Sequence, residues 1–105
     1  MEVFFNTDKN IEGKERVETY FTTEIKKDLK RFEDSVTRVE VHLSDENGIK
    51  GGANDKKCTI EVRPKGFGPI AATSTEDKIE KAISSATKKI ISKLETKIGK
   101  KQSVR

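Results

Sequence analysis

The spacing of the apolar residues constrains this fold more than any other feature, because its period changes along the chain. From about Gly13 to Phe32, and again from Ile79 to about Ile98, apolar residues recur every three or four positions, as in an amphipathic helix. The intervening segments "TRVEVHL" and "CTIEVR" alternate apolar and polar residues, as in a strand with one buried face. The shorter runs "VFF" and "IAATS" predict two further strands.

This succession predicts the order β-α-β-β-β-α in one two-layer α+β domain. Three consecutive strands indicate an antiparallel meander. Because each helix has a single apolar stripe, both helices are expected to cover one face of a four-stranded sheet. Ser74 or Thr75 is expected to cap the last helix. A length of 105 residues suits one domain, which we expect to span residues 1–98, with residues 99–105 as a short basic tail.

Positive charge is concentrated towards the C-terminal end. Residues 78–105 hold nine Lys and Arg residues against two Glu residues, a net charge of +7. Residues 1–77 hold thirteen Lys and Arg residues against sixteen Asp and Glu residues, a net charge of −3. Such asymmetry predicts a polyanionic partner, and RNA, DNA and an acidic lipid surface all satisfy it.

Within each predicted helix the basic residues gather on one flank of the apolar stripe. On helical wheels at 100° per residue they fall between roughly 180° and 320° from the first apolar residue. A polyanion favours this clustering, because each neutralised phosphate releases condensed counterions. A solvated charged face is the alternative. Asp28 interrupts the pattern, since it projects into the apolar stripe of the first helix.

The sole His and the sole Cys flank a Gly- and Asp-rich segment, which raises the question of a metal or catalytic site. Strand alternation places Cys58 on the core face and His42 on the outer face, so the two should point apart. Two ligands fall short of a tetrahedral zinc site, and the segment lacks the spacings of an EF-hand or a P-loop. We interpret residues 44–57 as a structural hairpin and expect neither a metal nor a cofactor. An enzyme is the least favoured class, because His42 has no identifiable acid-base partner.

The outer-face positions of the two central strands carry no aromatic residue. Base stacking on the sheet is therefore not expected, and recognition of RNA by backbone and shape is favoured instead. Arg38 and Arg63 on this face are further candidates for RNA contacts. Their alternative is cross-strand pairing with Glu40 and Glu61.

The hairpin and its surroundings resemble a known family. The stretch "RVEVHLSDENGIKGGANDKKCTIEVRPKGFGPIAATS" resembles the corresponding segment of bacterial ribosome hibernation-promoting factors, also called ribosome-associated inhibitors or ribosomal subunit interface proteins. The helix "AISSATKKIISKLETKI" is similar to the family's last helix, and the resemblance covers roughly residues 16–98. A short form is expected, because the chain shows no counterpart of the extra C-terminal domain of longer members.

The resemblance implies a fold similar to a double-stranded RNA-binding domain and a non-enzymatic function. It implies binding to the small ribosomal subunit and its rRNA near the decoding centre, which blocks mRNA and tRNA binding and inhibits translation under stress or in stationary phase. The basic helices would contact rRNA. The residues expected to make these contacts are Lys27, Lys30, Arg31, Lys81, Lys88, Lys89, Lys93 and Lys97.

Localisation and the competing functions follow from simpler signals. A single Cys, with no signal peptide and no apolar run of membrane-span length, predicts a cytoplasmic protein without a membrane partner. The family resemblance implies that the protein is ribosome-associated, and no small-molecule substrate is expected. A general double-stranded RNA-binding module not tied to hibernation is the alternative. A protein-interaction domain whose lysines only increase solubility is the third hypothesis.

Overall fold

A mixed four-stranded sheet carries two helices in the computed structural model, which describes residues 1–46 and 55–99. The elements are β1 (Glu2–Thr7), α1 (Lys14–Asp28), β2 (Val36–Asp45), β3 (Lys56–Pro64), β4 (Ile70–Glu76) and α2 (Ile79–Leu94). The strand order is β1-β2-β3-β4. The predicted α+β class, element order and antiparallel meander of β2, β3 and β4 are confirmed.

The first strand pairs with β2 in parallel, because α1 returns the chain across the sheet between them. Phe21 and Ile25 of α1 join Ile83 and Ile90 of α2 in one buried cluster with the inward side chains of the sheet. Both helices therefore cover the same face, as their single apolar stripes predicted. None of the helices in the described residues has the length and apolar character needed to cross a membrane.

Strand alternation separates the only His from the only Cys, as predicted. His42 is exposed on the open face of β2, opposite Thr59. Cys58 is fully buried against the helices, beside Leu43. Burial raises the pKa of the Cys58 thiol to about 12, so the thiol is a packed apolar group at neutral pH.

This burial makes Cys58 a probe of the fold. Ellman's reagent is expected to leave the native thiol unmodified and to react with it fully in denaturant, because a rise of the pKa from 9.0 to about 12 lowers the thiolate fraction on the order of 1000-fold. Rapid stoichiometric reaction of the native protein would contradict the placement of Cys58 in the core.

The helix ends depend more on backbone geometry than on capping side chains. Gly13 precedes α1 with φ of 68°, a left-handed conformation that glycine adopts without steric cost. The prediction that Ser74 or Thr75 caps the last helix is wrong, because both residues belong to β4. Lys78, with extended backbone and no side-chain cap, precedes α2. Ser74 instead points inward and donates a 2.8 Å hydrogen bond to Ser85 Oγ.

The structure describes the two ends of the predicted hairpin, residues 44–46 and 55–57. Lys56 Nζ lies 2.9 Å from Asp55 Oδ1 and 3.4 Å from Asp45 Oδ2, and both carboxylates are buried. The hydrogen bond from Lys56 lowers the pKa of the Asp55 carboxyl, and the same bond raises the pKa of Lys56. These two ion pairs of Lys56 link the C-terminal end of β2 to the N-terminal end of β3. Residues 47–54 of the hairpin, and residues 100–105 of the predicted basic tail, lie outside the described residues.

Candidate nucleic-acid interface

Two lysines of α2 lie along the edge of β4 that pairs with no other strand of the described residues. Lys89 and Lys93 are one helical turn apart, so their side chains share one face of the helix. Lys89 Nζ donates to the carbonyl oxygen of Thr73 at 2.8 Å, and Lys93 Nζ donates to that of Ala71 at 2.6 Å. These two ammonium groups are exposed, but each is held by the backbone of the sheet.

The remaining α2 cations differ in their partners. Lys81 Nζ lies 3.2 Å from Asp77 Oδ1, and this hydrogen bond lowers the pKa of the Asp77 carboxyl. Lys88 lies in the middle of α2, and Lys97 lies in the single π-helical turn that follows it. Both are exposed, and neither makes an ion pair or side-chain hydrogen bond within the part of the chain described. Lys88 and Lys97 are therefore free to meet a phosphate.

The basic residues of the first helix lie at its C-terminal end. Lys27 belongs to α1, and Lys30 begins the short 3₁₀ turn that follows it. Both are exposed without an ion-pair partner in residues 1–46 or 55–99. Arg31 packs over the ring of Phe32 at 4.8 Å and forms an ion pair with Glu95, just beyond α2. The Arg31–Glu95 pair joins the C-terminal ends of the two helical segments.

A cleft with acidic side chains lies between α1 and α2. It has a volume of about 220 Å³, and its lining includes Glu24 and Asp28 of α1 and Glu80 of α2. Asp28, which interrupted the apolar stripe in the sequence pattern, is thus an exposed wall of this cleft at the end of α1. Carboxylates therefore lie in the cleft between α1 and α2, while the Arg31–Glu95 ion pair links the C-terminal ends of the two helical segments.

Both arginines of the open sheet face are paired, but not across the strands as the alternative reading had it. Arg38 Nε lies 3.3 Å from Glu40 Oε2, and Arg63 Nη2 lies 3.6 Å from Glu61 Oε1, each pair within one strand. The register of β2 and β3 sets arginine opposite arginine and glutamate opposite glutamate. Like charges directly opposite are unfavourable, so each arginine pairs with the glutamate two positions along its own strand.

The sequence patterns missed an aromatic residue on the open face. Phe4 of β1 is 40% exposed, and the Arg38 guanidinium lies over its ring at 4.2 Å. Successive side chains of a strand point to opposite faces of the sheet. Val3 and Phe5 pack against the core, so Phe4 between them lies on the open face. The run "VFF" is too short, and too uniformly apolar, for the sequence to show which of its residues faces the core.

The ten cations predicted to contact RNA therefore fall into three groups. Those without an ion pair or side-chain hydrogen bond to described residues are Lys27, Lys30, Lys88 and Lys97. Those bound to backbone carbonyls are Lys89 and Lys93. Those paired with carboxylates are Arg31, Lys81, Arg38 and Arg63.

This arrangement is suited to binding a polyanion. The free and carbonyl-bound lysines lie in the two helical segments that cover one face of the sheet, while the open face carries locally neutralised pairs. Within residues 1–46 and 55–99, no group of three or more His, Cys, Asp or Glu side chains is placed to hold a metal ion.

Comparison with known proteins matches this chain to one protein family. The family model described as Sigma 54 modulation protein / S30EA ribosomal protein matches residues 6–102. The match spans both helices and extends over most of the sheet. No curated protein matches the chain.

Proposed function

We propose a function on the ribosome from one premise, which is that the chain belongs to the Sigma 54 modulation protein / S30EA ribosomal protein family. The family supports a ribosome-associated protein that modulates translation. Our finer proposal is a hibernation factor that binds the small ribosomal subunit near the decoding centre under stress or in stationary phase. By occupying that site it would block mRNA and tRNA binding. The family match over residues 6–102 is the observation that carries the proposal.

The proposed contact surface is the cationic side of the two helical segments. Lys27, Lys30, Lys88 and Lys97 would bind rRNA phosphates directly, because no carboxylate of the described residues holds them. Phosphate contacts supply affinity and orientation but carry no base sequence. Selectivity for one ribosomal site would come from the fit of the rigid helix-covered sheet to folded rRNA, since RNA helices are recognised largely by shape.

The remaining proposed contacts require an exchange of partners. Lys89 and Lys93 would leave backbone carbonyls, whereas Arg31 and Lys81 would leave carboxylates, when a phosphate approaches. The exposed ion pairs of Arg31 and Lys81 are each worth about 0.2–1 kcal/mol, so a charge-assisted bond to phosphate can replace them. Arg38 and Arg63 would contribute only if RNA reached the open face, where each is already paired with glutamate.

The proposal describes a cytoplasmic binding protein that acts by occupancy. No covalent bond is made or broken, and inhibition is reversed when the protein dissociates. The family supports a ribosome-binding function of this kind, and the buried thiol of Cys58 is unsuited to nucleophilic chemistry.

Cosedimentation tests the proposal against its alternative. The purified chain is mixed with small ribosomal subunits, large subunits or a generic 20-base-pair RNA duplex and centrifuged through sucrose at rising salt. Saturable binding to small subunits, lost as salt rises and absent from large subunits, is the expected result. Equal affinity for the duplex would support a general double-stranded RNA-binding module, and salt-insensitive binding would contradict a phosphate-directed interface.

Glu95 provides a second test, because its carboxylate occupies Arg31 within the proposed interface. Glu95→Gln is expected to tighten binding to small subunits about two- to fivefold, since Arg31 no longer exchanges an ion pair worth roughly 0.2–1 kcal/mol. Glu33→Gln removes the same charge at an exposed glutamate of the same region that makes no ion pair in the described residues. An equal gain in both variants would show that only net charge matters.

A further inference from the structure

We propose that the edge of β4 accepts an extended acidic peptide as an added strand, in the groove between that edge and the end of α2. This inference goes beyond the proposed function, because its partner is a protein segment rather than rRNA. It depends on the hydrogen-bonding state of the strand edge, the shape of the groove and the charge of its helical wall.

The edge of β4 presents backbone acceptors to the solvent. The strand pairs with β3 on one side, and it is last in the sheet order formed by the described residues. The carbonyl oxygens of Ala71 and Thr73 accept hydrogen bonds from the ammonium groups of Lys93 and Lys89, which belong to α2 and not to a strand. Within the described residues, lysine side chains therefore hold acceptors that an added strand would bind.

The strand itself has little of the usual protection of a sheet edge. Exposed edges are commonly blunted by charged residues, proline or a β-bulge. From Ile70 to Thr75 the strand holds no charged residue and no proline. Its pairing with β3 shows no register shift, and the side chains of Ala71 and Thr73 are small and exposed. In this region the lysines of α2 are the protecting groups.

A groove lies beside the start of this edge. Its volume is about 460 Å³, and its walls are the start of β4, with the turn before it, and the end of α2. An edge strand with a helix alongside is an arrangement that domains use to bind peptides by strand addition. The residues that line the groove include Pro69, Ile70, Ala71, Ser92, Lys93 and Lys97.

Charge selects the occupant. Lys89, Lys93 and Lys97 place positive charge on the helical side of the edge. A second copy of this chain would bring the same lysines into contact with these, which like-charge repulsion opposes. A peptide with a carboxylate at every second residue would instead donate its N–H groups to Ala71 and Thr73 while its side chains accept the displaced ammonium groups.

Selective N-methylation tests strand addition with the protein unaltered. The probe is a fluorescein-labelled Glu-Val-Glu-Val-Glu-Val-Glu peptide, compared by anisotropy with one version N-methylated at the Glu residues and another at the Val residues. Only one set of N–H groups faces β4 in an added strand. One methylated peptide is therefore expected to bind at least tenfold more weakly, and the other to bind normally. Equal binding of all three would overturn the proposal.

A variant of the lysines separates this site from the rest of the cationic surface. Lys89→Gln with Lys93→Gln is expected to weaken binding of the unmethylated peptide at least fivefold. Lys27→Gln with Lys30→Gln makes the same charge change in the other helical segment and should leave peptide binding unchanged. Equal weakening by both pairs of substitutions would show that only the net charge of the protein matters, and would overturn the proposal.

Concentration-dependent dimerisation of the unliganded protein would identify a second copy, not an acidic peptide, as the occupant, and would overturn the proposal. Ribosome binding is measured separately, so either proposal can fail alone.

Discussion

Replacing Lys27 and Lys88 together by Glu is expected to weaken binding to the small ribosomal subunit on the order of 100-fold near physiological salt. Each substitution removes one phosphate contact and sets a carboxylate against the RNA, and like charges at an interface cost several kcal/mol. Both side chains are exposed and without an ion pair or side-chain hydrogen bond to the described residues. Stability should therefore change by no more than about 0.5 kcal/mol, which circular dichroism and thermal melting can verify.

Lys9 and Lys65 supply the matched control. Both are exposed and lie in the connections outside the helices, so Lys9→Glu with Lys65→Glu gives the same change in net charge without altering the proposed surface. Binding reduced by less than about fivefold is expected for this control, because screening limits the effect of distant charges. Equal losses in both double variants would contradict a localised contact surface. Undiminished binding of the Lys27 and Lys88 variant would show that rRNA contacts another face.

Ile90→Ala is the substitution with the largest expected effect on stability. Ile90 is fully buried in the second half of α2, in the cluster that this helix shares with the inward side chains of the sheet. Truncation of a buried isoleucine costs about 2–5 kcal/mol through lost burial and the cavity left behind. For a domain of this size each 1 kcal/mol lowers the melting temperature by about 4–8 °C, so we expect a decrease of roughly 10 °C or more.

The neighbouring Ile91 is the control for this effect. Its side chain is only half-buried at the margin of the core, so Ile91→Ala removes the same atoms and is expected to cost about 1 kcal/mol or less. Denaturant unfolding followed by circular dichroism gives both values. Similar losses in the two variants would contradict the orientation of α2 against the sheet. Wild-type ribosome affinity of folded Ile90→Ala would show that this residue acts through stability alone.

The main elements of the fold were predictable because hydrophobic periodicity reports burial directly. The alternation in "TRVEVHL" correctly placed His42 on the outer face, and the alternation in "CTIEVR" correctly placed Cys58 on the core face. The cap of α2 was not predictable in this way. Ser74 and Thr75 belong to residue types that favour both caps and strands, and the strand-forming pairing with β3 extends β4 to Glu76.

The candidate surface was predictable in composition but not in connectivity. A helical wheel identified the basic flanks, yet it could not show that Arg31 meets Glu95, which lies 64 positions away. It also could not show that Lys89 and Lys93 bind the edge of a strand, because that depends on how α2 lies on the sheet. Such contacts arise from tertiary packing, which one helix's periodicity does not contain. Phe4 was missed for the same reason, since its face follows from the pairing of β1 with β2.

Binding to purified small ribosomal subunits as a function of salt concentration tests the central claim most directly. If Lys27, Lys30, Lys88 and Lys97 each neutralise one phosphate, the logarithm of the binding constant should fall against the logarithm of salt with a slope of about −3 to −4 or steeper. The Lys27→Glu and Lys88→Glu variant should have a slope shallower by about two. A slope near zero, or the same slope in protein and variant, would contradict a ribosome contact made through the cations of these helices.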